Sequence, residues 1–558
     1  MADNYDDYSK EELIRELRAK NQKPRFGLYW ERDDIEHERA INDDFVALDL
    51  DESLSCGDAP FQNLIIEGDN FDALRYLRMT YKGKVKCIYI DPPYNTGNKD
   101  FVYNDRFIDK DDVYKHSKWL EFMYRRLAVA RDLLAEDGVI FVSIDDNEQA
   151  NLKLLMDNVF GSINFIANFV WQKAYSPRMD SKTVSNDHDH ILAYSNTQDF
   201  SLNRIAFEQN NSSFSKFDEH KQAYYRRRQW RKEGSGARRE DRPNLFYEIK
   251  SPDNTPIFPI RPDGSEGRWR GSSDYFNSLV TGGVIEWIKQ NDCWQIYVKQ
   301  YLDTQATKPA STWLSSSDFS HNHEAAEEIK AILQANAFST PKPTTLIKHF
   351  LNIATRKDSI VLDFFAGSGT TAHAVLKFNA EDGGNRRFIL VSNTEATESE
   401  PDKNLCRDVC AERVRRVMQG YTNQKAEQVE GLGVNPSTGL RTGFAYLKTR
   451  RINSETLLTE IQHSQIWTAL QLSHGAALSA FNPHSSVQQL QTADNTVMYL
   501  CQLTEQELTA VTECLEKQQT TVYSWQPALL SHYIENANLT CLPIPKFLLD
   551  RFATGVKA

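Results

Sequence analysis

Apolar runs separated by amphipathic stretches set the rhythm of much of this chain. "NLIIEGDNFDALRYLRMTYKGKVKCIYIDPPY", residues 63–94, reads as strand, turn, helix, strand, the order of a βαβ unit. The run 85–90, rich in β-branched and aromatic residues, predicts a buried strand, and Pro92 and Pro93 end it because proline cannot continue a ladder. Residues 117–135, "SKWLEFMYRRLAVARDLLA", have apolar positions at helical spacing, and Asp137-Gly138 is expected to close that helix before a third strand, "VIFVSID", over 139–145. A further helix over 147–161 ends at Gly161. The pattern is that of a mostly parallel α/β sheet with crossover helices.

From 197 to 335 that alternation is lost and Arg, Trp, Tyr, Ser and Gly become frequent. It returns with "TPKPTTLIKHFLNIAT", the strand opening "IVLDFFAGSGTTAHAV" (360–375), a helix and the strand "RRFILVSN". A small α/β unit is expected at the end: "TVMYLCQL", the helical "TEQELTAVTECLEKQ" and "TTVYSW". The expected divisions are a helical or irregular segment 1–60 with a capping box at Ser9 and Glu12, an α/β part 61–196, an insert 197–335, a second α/β part 336–450 and a terminal domain 451–558.

Composition narrows the class. A chain of 558 residues with 40% hydrophobic and 25% charged residues is an ordinary globular protein of roughly three to four domains. The net charge of −12 argues against indiscriminate coating of nucleic acid but leaves room for a local basic face. No apolar run approaches a membrane span, and the charged start "MADNYDDYSKEELIRELRAK" has no secretory signal, so a cytoplasmic protein with reduced thiols is expected. Cys406 and Cys410, four apart, are read as small core residues on one helix face, and no metal is expected.

Two short stretches carry candidate chemistry. Asp91-Pro92-Pro93-Tyr94 closes one parallel strand and Phe365-Ala366-Gly367-Ser368-Gly369 another. Each alone is weak: the first reads as a tight turn, the second as a small-residue turn for close packing. The glycine loop lacks the spacing of the dinucleotide fingerprint and the GK[ST] of a phosphate loop. Both belong on the carboxyl edge of the sheet, where open α/β sheets bind ligands.

Together with "FGLYWE", "NLIIEGDNFDAL", "FVYND", "DGVIFVSIDDNE", "HDHILAYS" and "TPKPTTLIKHFLNIAT", these stretches resemble the amino-group DNA methyltransferases that use S-adenosylmethionine. The nearest likeness is to the modification subunits of type III restriction-modification systems. The resemblance covers most of 26–195 and 338–395. Its order, DPPY before FxGxG with a long insert between, is that of the β-class permuted members. It implies a Rossmann-like S-adenosylmethionine-dependent methyltransferase domain, an inserted target-recognition domain and a small C-terminal α/β domain.

By the family pattern Asp91 and the carbonyl of Pro92 accept the two N–H bonds of the target amine. Pro93 fixes that carbonyl's direction, and Tyr94 stacks on an everted base. The cofactor would lie on Asp363, on Phe365 to Gly369 with Thr370, on Asp69 and Asn70, and beside Lys342 and Pro343. Asn393 or Glu395 would hold its ribose. Asp145 and Asp146 are read as a strand-end turn. In the insert, Arg226, Arg227, Arg228 and Arg231 would contact DNA, with Tyr225 and Trp230 stacking. The implied activity is site-specific methylation of adenine N6 in duplex DNA. Cytosine-N4 methylation, an orphan adenine methyltransferase and a non-catalytic DNA-binding or assembly subunit are the alternatives. The resemblance further implies a homodimer and a separate translocase-nuclease partner, since the sequence has no Walker motif.

Overall fold

The computed structural model describes residues 44–548 apart from 104–105, 110–113, 178, 180, 208–210, 304, 336, 398–399, 424, 435–441, 493–494, 517 and 545. The Ser9–Glu12 capping box, "FGLYWE" and the end of "FVYND" lie outside the described residues.

Ten strands form one sheet. Numbered along the chain they are β1 (Phe45–Cys56), β2 (Asn63–Glu67), β3 (Val85–Ile90), β4 (Leu134–Ile144), β5 (Phe165–Gln172), β6 (His188–Ser195), β7 (Trp313–Leu314), β8 (Ile360–Asp363), β9 (Arg387–Ser392) and β10 (Phe444–Ile452). Their spatial order is β1-β10-β2-β9-β8-β3-β4-β6-β5-β7. From β10 to β4 every neighbour is parallel, while β1, and β6 between β4 and β5, run antiparallel to their neighbours. Strands β3 and β8 are buried at every position, as expected of central parallel strands covered on both faces.

Helices α1 (Asn70–Tyr81), α2 (Lys115–Leu133), α3 (Gln149–Met156), α4 (Asn322–Leu333), α5 (Thr344–Ala354), α6 (Thr370–Asp382) and α7 (Glu412–Gln419) accompany the sheet. In α2, Leu120, Met123, Leu127 and Ala130 recur on one buried face, the stripe an amphipathic helix turns to a core. Asp137-Gly138 does not end α2. The helix stops at Leu133, Leu134 pairs with Val85, and the ladder shifts register before Cys87 meets Val139, so 135–138 form an irregular insert within β4.

The expected divisions need three further corrections. Part of 1–60 is the twelve-residue edge strand β1, antiparallel to β10. The insert that separates as its own unit is Arg204–Ala310, narrower than 197–335: Trp313 and Leu314 pair with β5, and Glu328 on α4 bonds to Arg413 on α7. The last hundred residues belong to the same unit as the large sheet. Their four-stranded sheet, Val487–Gln491, Thr496–Leu500, Thr520–Ser524 and Leu539–Pro543, contributes Val497, Tyr499 and Tyr523, and Ile544 just after it, to the core that also holds Leu48, Leu77 and Leu470.

The Arg204–Ala310 unit has its own antiparallel sheet: Lys216–Asp218, Ala223–Gln229, Cys293–Tyr301 and Ile285–Gln290, in that spatial order. Trp230, Ile249, Trp269, Phe276 and Ile296 form its core.

Candidate active site

Strands β3 and β8 are parallel neighbours, with Val361 opposite Cys87 and Leu362 opposite Ile88. The two expected loops therefore leave the same edge of the sheet side by side. Asp91 follows β3 directly. Its carboxylate accepts from Lys342 Nζ at 2.8 and 2.9 Å and from the Tyr94 hydroxyl at 2.9 Å. Lys342 also donates to the Tyr94 oxygen at 2.8 Å. The carbonyl of Pro93 accepts from Trp119 Nε1 at 2.7 Å, which anchors the turn to α2. Among the described residues none donates to the Pro92 carbonyl. Burial, together with the charges of Asp189 and Asp91, pushes the Tyr94 phenol well up, so the hydroxyl stays protonated and a donor.

The glycine loop is held from beneath. Asp363 closes β8, and its buried carboxyl accepts from Phe365 N at 3.0 Å and from the Thr371 hydroxyl at 2.5 Å. Burial, with Asp91 nearby, raises its pKa to about 7. Gly367 and Gly369 have φ of +48° and +75°; a Cβ there would lie 3.0 Å from the Phe338 ring and 3.1 Å from the Cys410 carbonyl. Glycine is thus required by backbone conformation and close packing. The Ala366 amide donates to Val391 O at 3.1 Å. Phe365 is half-buried, its ring centroid 6.0 Å from that of Phe122.

The hydroxyls of Ser368 and Thr370 accept from the guanidinium of Arg413, at 3.1 and 2.7 Å. Arg413 is wholly buried and also reaches Glu328 at 3.0 Å. Asn70, at the start of α1, donates to Phe364 O at 2.9 Å and accepts from Arg126. Asp69 caps α1 through the amides of Phe71 and Asp72 and meets Arg126 at 3.2 Å. Pro343 stands immediately before α5. Asn393 is exposed at the end of β9, its carbonyl accepting from Cys406 N; the carboxylate of Glu395 pairs with Lys403 at 3.1 Å. Asp145 accepts from Asn147 in a turn, while Asp146 meets His190 at 3.1 Å. Cys406 and Cys410 are buried core residues.

Several residues in this network were not singled out from sequence. Asp189 lies in the quoted "HDHILAYS", accepts from Tyr94 at 3.3 Å and is held by Lys173 at 2.8 Å. Trp119, Arg126, Glu328 and Arg413 carry no motif signal. An aromatic or a cation in a helix is read locally as one more amphipathic residue.

In the Arg204–Ala310 unit two stacking expectations are overturned. Trp230 is 2% exposed, at the centre of that unit's core, and Tyr225 is buried against Tyr301. The exposed aromatic pair is Tyr224 with Phe217, their ring centroids 5.1 Å apart; on a strand, neighbours face opposite sides, which puts Tyr224 outside when Tyr225 is inside. Arg227 forms a paired fork with Glu286. Arg226 and Arg228 are exposed, the former bonded to Gln300, and Arg231 bonds to Gln229.

A mostly parallel sheet whose adjacent central strands end in an Asp-Pro-Pro-Tyr turn and a glycine loop is a Rossmann-like methyltransferase fold with permuted motif order. The family model described as DNA methylase matches residues 85–392, more than half of the chain, and the chain belongs to that family. It is 33% identical over 454 residues to the StyLTI Mod subunit of a type III restriction-modification enzyme of Salmonella typhimurium (75% of this chain, 65% of that one). It is 36% identical over 378 residues to the EcoPI Mod subunit of Escherichia phage P1 (60% and 58%). With the type II methyltransferase M.KpnI of Klebsiella pneumoniae it shares 31% over 382 residues (65% and 89%). The chain thus spans less than two thirds of the length of the two Mod subunits.

Proposed function

We propose that this chain methylates N6 of adenine at specific sites in duplex DNA, with S-adenosylmethionine as donor, as the modification subunit of a type III restriction-modification system. The observation that carries the reading is the Asp91 carboxylate on the strand beside the glycine loop. The similarity to Mod subunits supports a separate restriction subunit as partner, and a homodimer is part of the same proposal.

The residues fit the donor. The amides of Gly367 and Ser368 donate to no acceptor among the described residues, and α6 begins immediately after the loop with its own free N–H groups, a donor set suited to a carboxylate. Asp69 and the half-buried Phe365 supply polar and apolar contacts on the same edge. When bound, S-adenosylmethionine supplies a methyl group on a sulfonium, ready for displacement.

The amine of adenine is a poor nucleophile because its lone pair is delocalised into the ring. Asp91 and the open Pro92 carbonyl would accept its two N–H bonds and draw the nitrogen towards a tetrahedral shape. The carboxylate would also stabilise the positive charge that builds on nitrogen during transfer, in a site organised beforehand. The base must leave the duplex, which costs a few kcal/mol and is offset by contacts such as stacking on Tyr94. Tyr224, Phe217, Arg226 and Arg228 are the proposed DNA-contacting surface of the Arg204–Ala310 unit.

The test is Asp91→Asn. Adenine methylation of a plasmid, read by mass spectrometry of its nucleosides, should fall by roughly a thousandfold or more, while cofactor binding and thermal unfolding persist. Full activity in that variant, or N4-methylcytosine as the product of the native chain, would overturn the reading.

A further inference from the structure

Building on that reading, we propose that Lys342 is a place-holder for the target amine and that Asp189 is the seat to which its ammonium withdraws when the base arrives. Asp189 is then a positioning residue for methyl transfer. An ammonium has three donors, and those of Lys342 are taken by both oxygens of Asp91 and by the Tyr94 oxygen. The same nitrogen lies 4.9 Å from the Tyr94 ring centroid. One cation therefore covers both groups a target base would use, the acceptor carboxylate and the ring.

The ammonium has few places to go. The Lys342 side chain is 8% exposed, and a buried ammonium without a partner is strongly disfavoured. A second carboxylate is within reach: Asp189 Oδ2 is 4.0 Å from Lys342 Nζ, so a movement of about one ångström makes an ordinary hydrogen bond. Asp189 is equipped to receive it. It is 2% exposed; its Oδ1 is pinned by Lys173 at 2.8 Å, and among the described residues Oδ2 holds only the long 3.3 Å bond from Tyr94.

The charges agree with this exchange. With Lys342 on Asp91, two carboxylates and two ammoniums are matched one to one. With Lys342 on Asp189, that carboxylate takes both cations. Asp91 is left with an open negative charge facing the amine just as positive charge develops there. The entering amine thus replaces one donor on Asp91 by another, and no buried group is stranded.

Asp189→Asn keeps one oxygen as an acceptor for Lys173, turns an amide NH2 towards Tyr94 and Lys342, and removes the charge that attracts Lys342. It should lower kcat/KM for target DNA by roughly tenfold or more, the weight of a charge-assisted bond, with cofactor affinity unchanged; loss of the Lys173 pair lowers the melting temperature, a cost the double variant shares. Adding Lys342→Met should restore most of that loss, because no ammonium then competes for Asp91. A purely structural Asp189 predicts the opposite, a double variant as slow as the single or slower, and that result overturns the proposal, as does native activity in Asp189→Asn. Should Asp189→Asn fail to fold, Lys342→Met alone decides. It should bind a duplex with a mismatched, readily everted target adenine severalfold more tightly, and unchanged or weaker binding overturns the place-holder. If the native chain methylates no adenine, the functional reading falls and this inference with it; if it does, only the exchange is at stake.

Discussion

Replacing Arg413 by methionine separates the support of the glycine loop from the chemistry above it. The side chain is fully buried, and its guanidinium donates to Thr370 at 2.7 Å, Ser368 at 3.1 Å and Glu328 at 3.0 Å. Each hydroxyl bond contributes about 1 kcal/mol. Breaking a fully buried ion pair costs about 3–5 kcal/mol, but the Glu328 side chain is 27% exposed, so water takes up much of that loss and about 1 kcal/mol remains. Arg413 Nε has no partner among the described residues, and methionine removes that unfavourable burial. The net expectation is a loss of about 2–3 kcal/mol, read as a lower midpoint in urea unfolding with an unchanged slope. Ser368 and Thr370, freed from their anchor, must then be ordered by the ligand, so affinity for S-adenosylmethionine by calorimetry should weaken by about tenfold. Unchanged stability would refute the burial argument. Lost stability with native affinity would show that the loop keeps its shape without Arg413.

Three further outcomes are expected. Asp363 has a folded pKa of about 7 against an ordinary 3.8, raised mainly by burial, so its penalty is absent below pH 4, grows as pH rises to 7 and is constant above. Asp363→Asn should gain on the native chain over that window, by roughly 4 kcal/mol as an upper bound, and parallel denaturation midpoints at pH 5 and pH 8 would refute it. In the Arg204–Ala310 unit, Trp230→Ala should destabilise by about 3–5 kcal/mol, as a core aromatic does. Tyr224→Ala should leave unfolding unchanged and weaken DNA binding in a gel-shift titration; the reverse pattern would restore Trp230 as the stacking residue.

Much of the fold was legible because its signals are local. The largely apolar β3 and β8, the spaced apolar face of α2 and the Pro-Pro and Gly punctuation each arise within a few residues, and the strand–helix order follows from them. The Asp-Pro-Pro-Tyr and glycine loops were legible for the same reason, each being a short motif at a strand end. Misreadings came where neighbours along the chain and neighbours in space disagree. Asp137-Gly138 looked like a helix stop because the register shift in β4 depends on Leu134 finding Val85. Trp230 and Tyr225 looked like stacking groups because a basic stretch does not say which face of a strand is inward.

The sequence by itself determined the class of sheet, the two loops and the order in which they occur. Only the tertiary structure decided what those loops touch. Lys342 meets Asp91 across 251 residues of chain, and Arg413 supports Ser368 across 45. Periodicity and turn chemistry act over a few residues, whereas a buried charge takes its partner from whatever the packed sheet and helices bring within hydrogen-bonding distance.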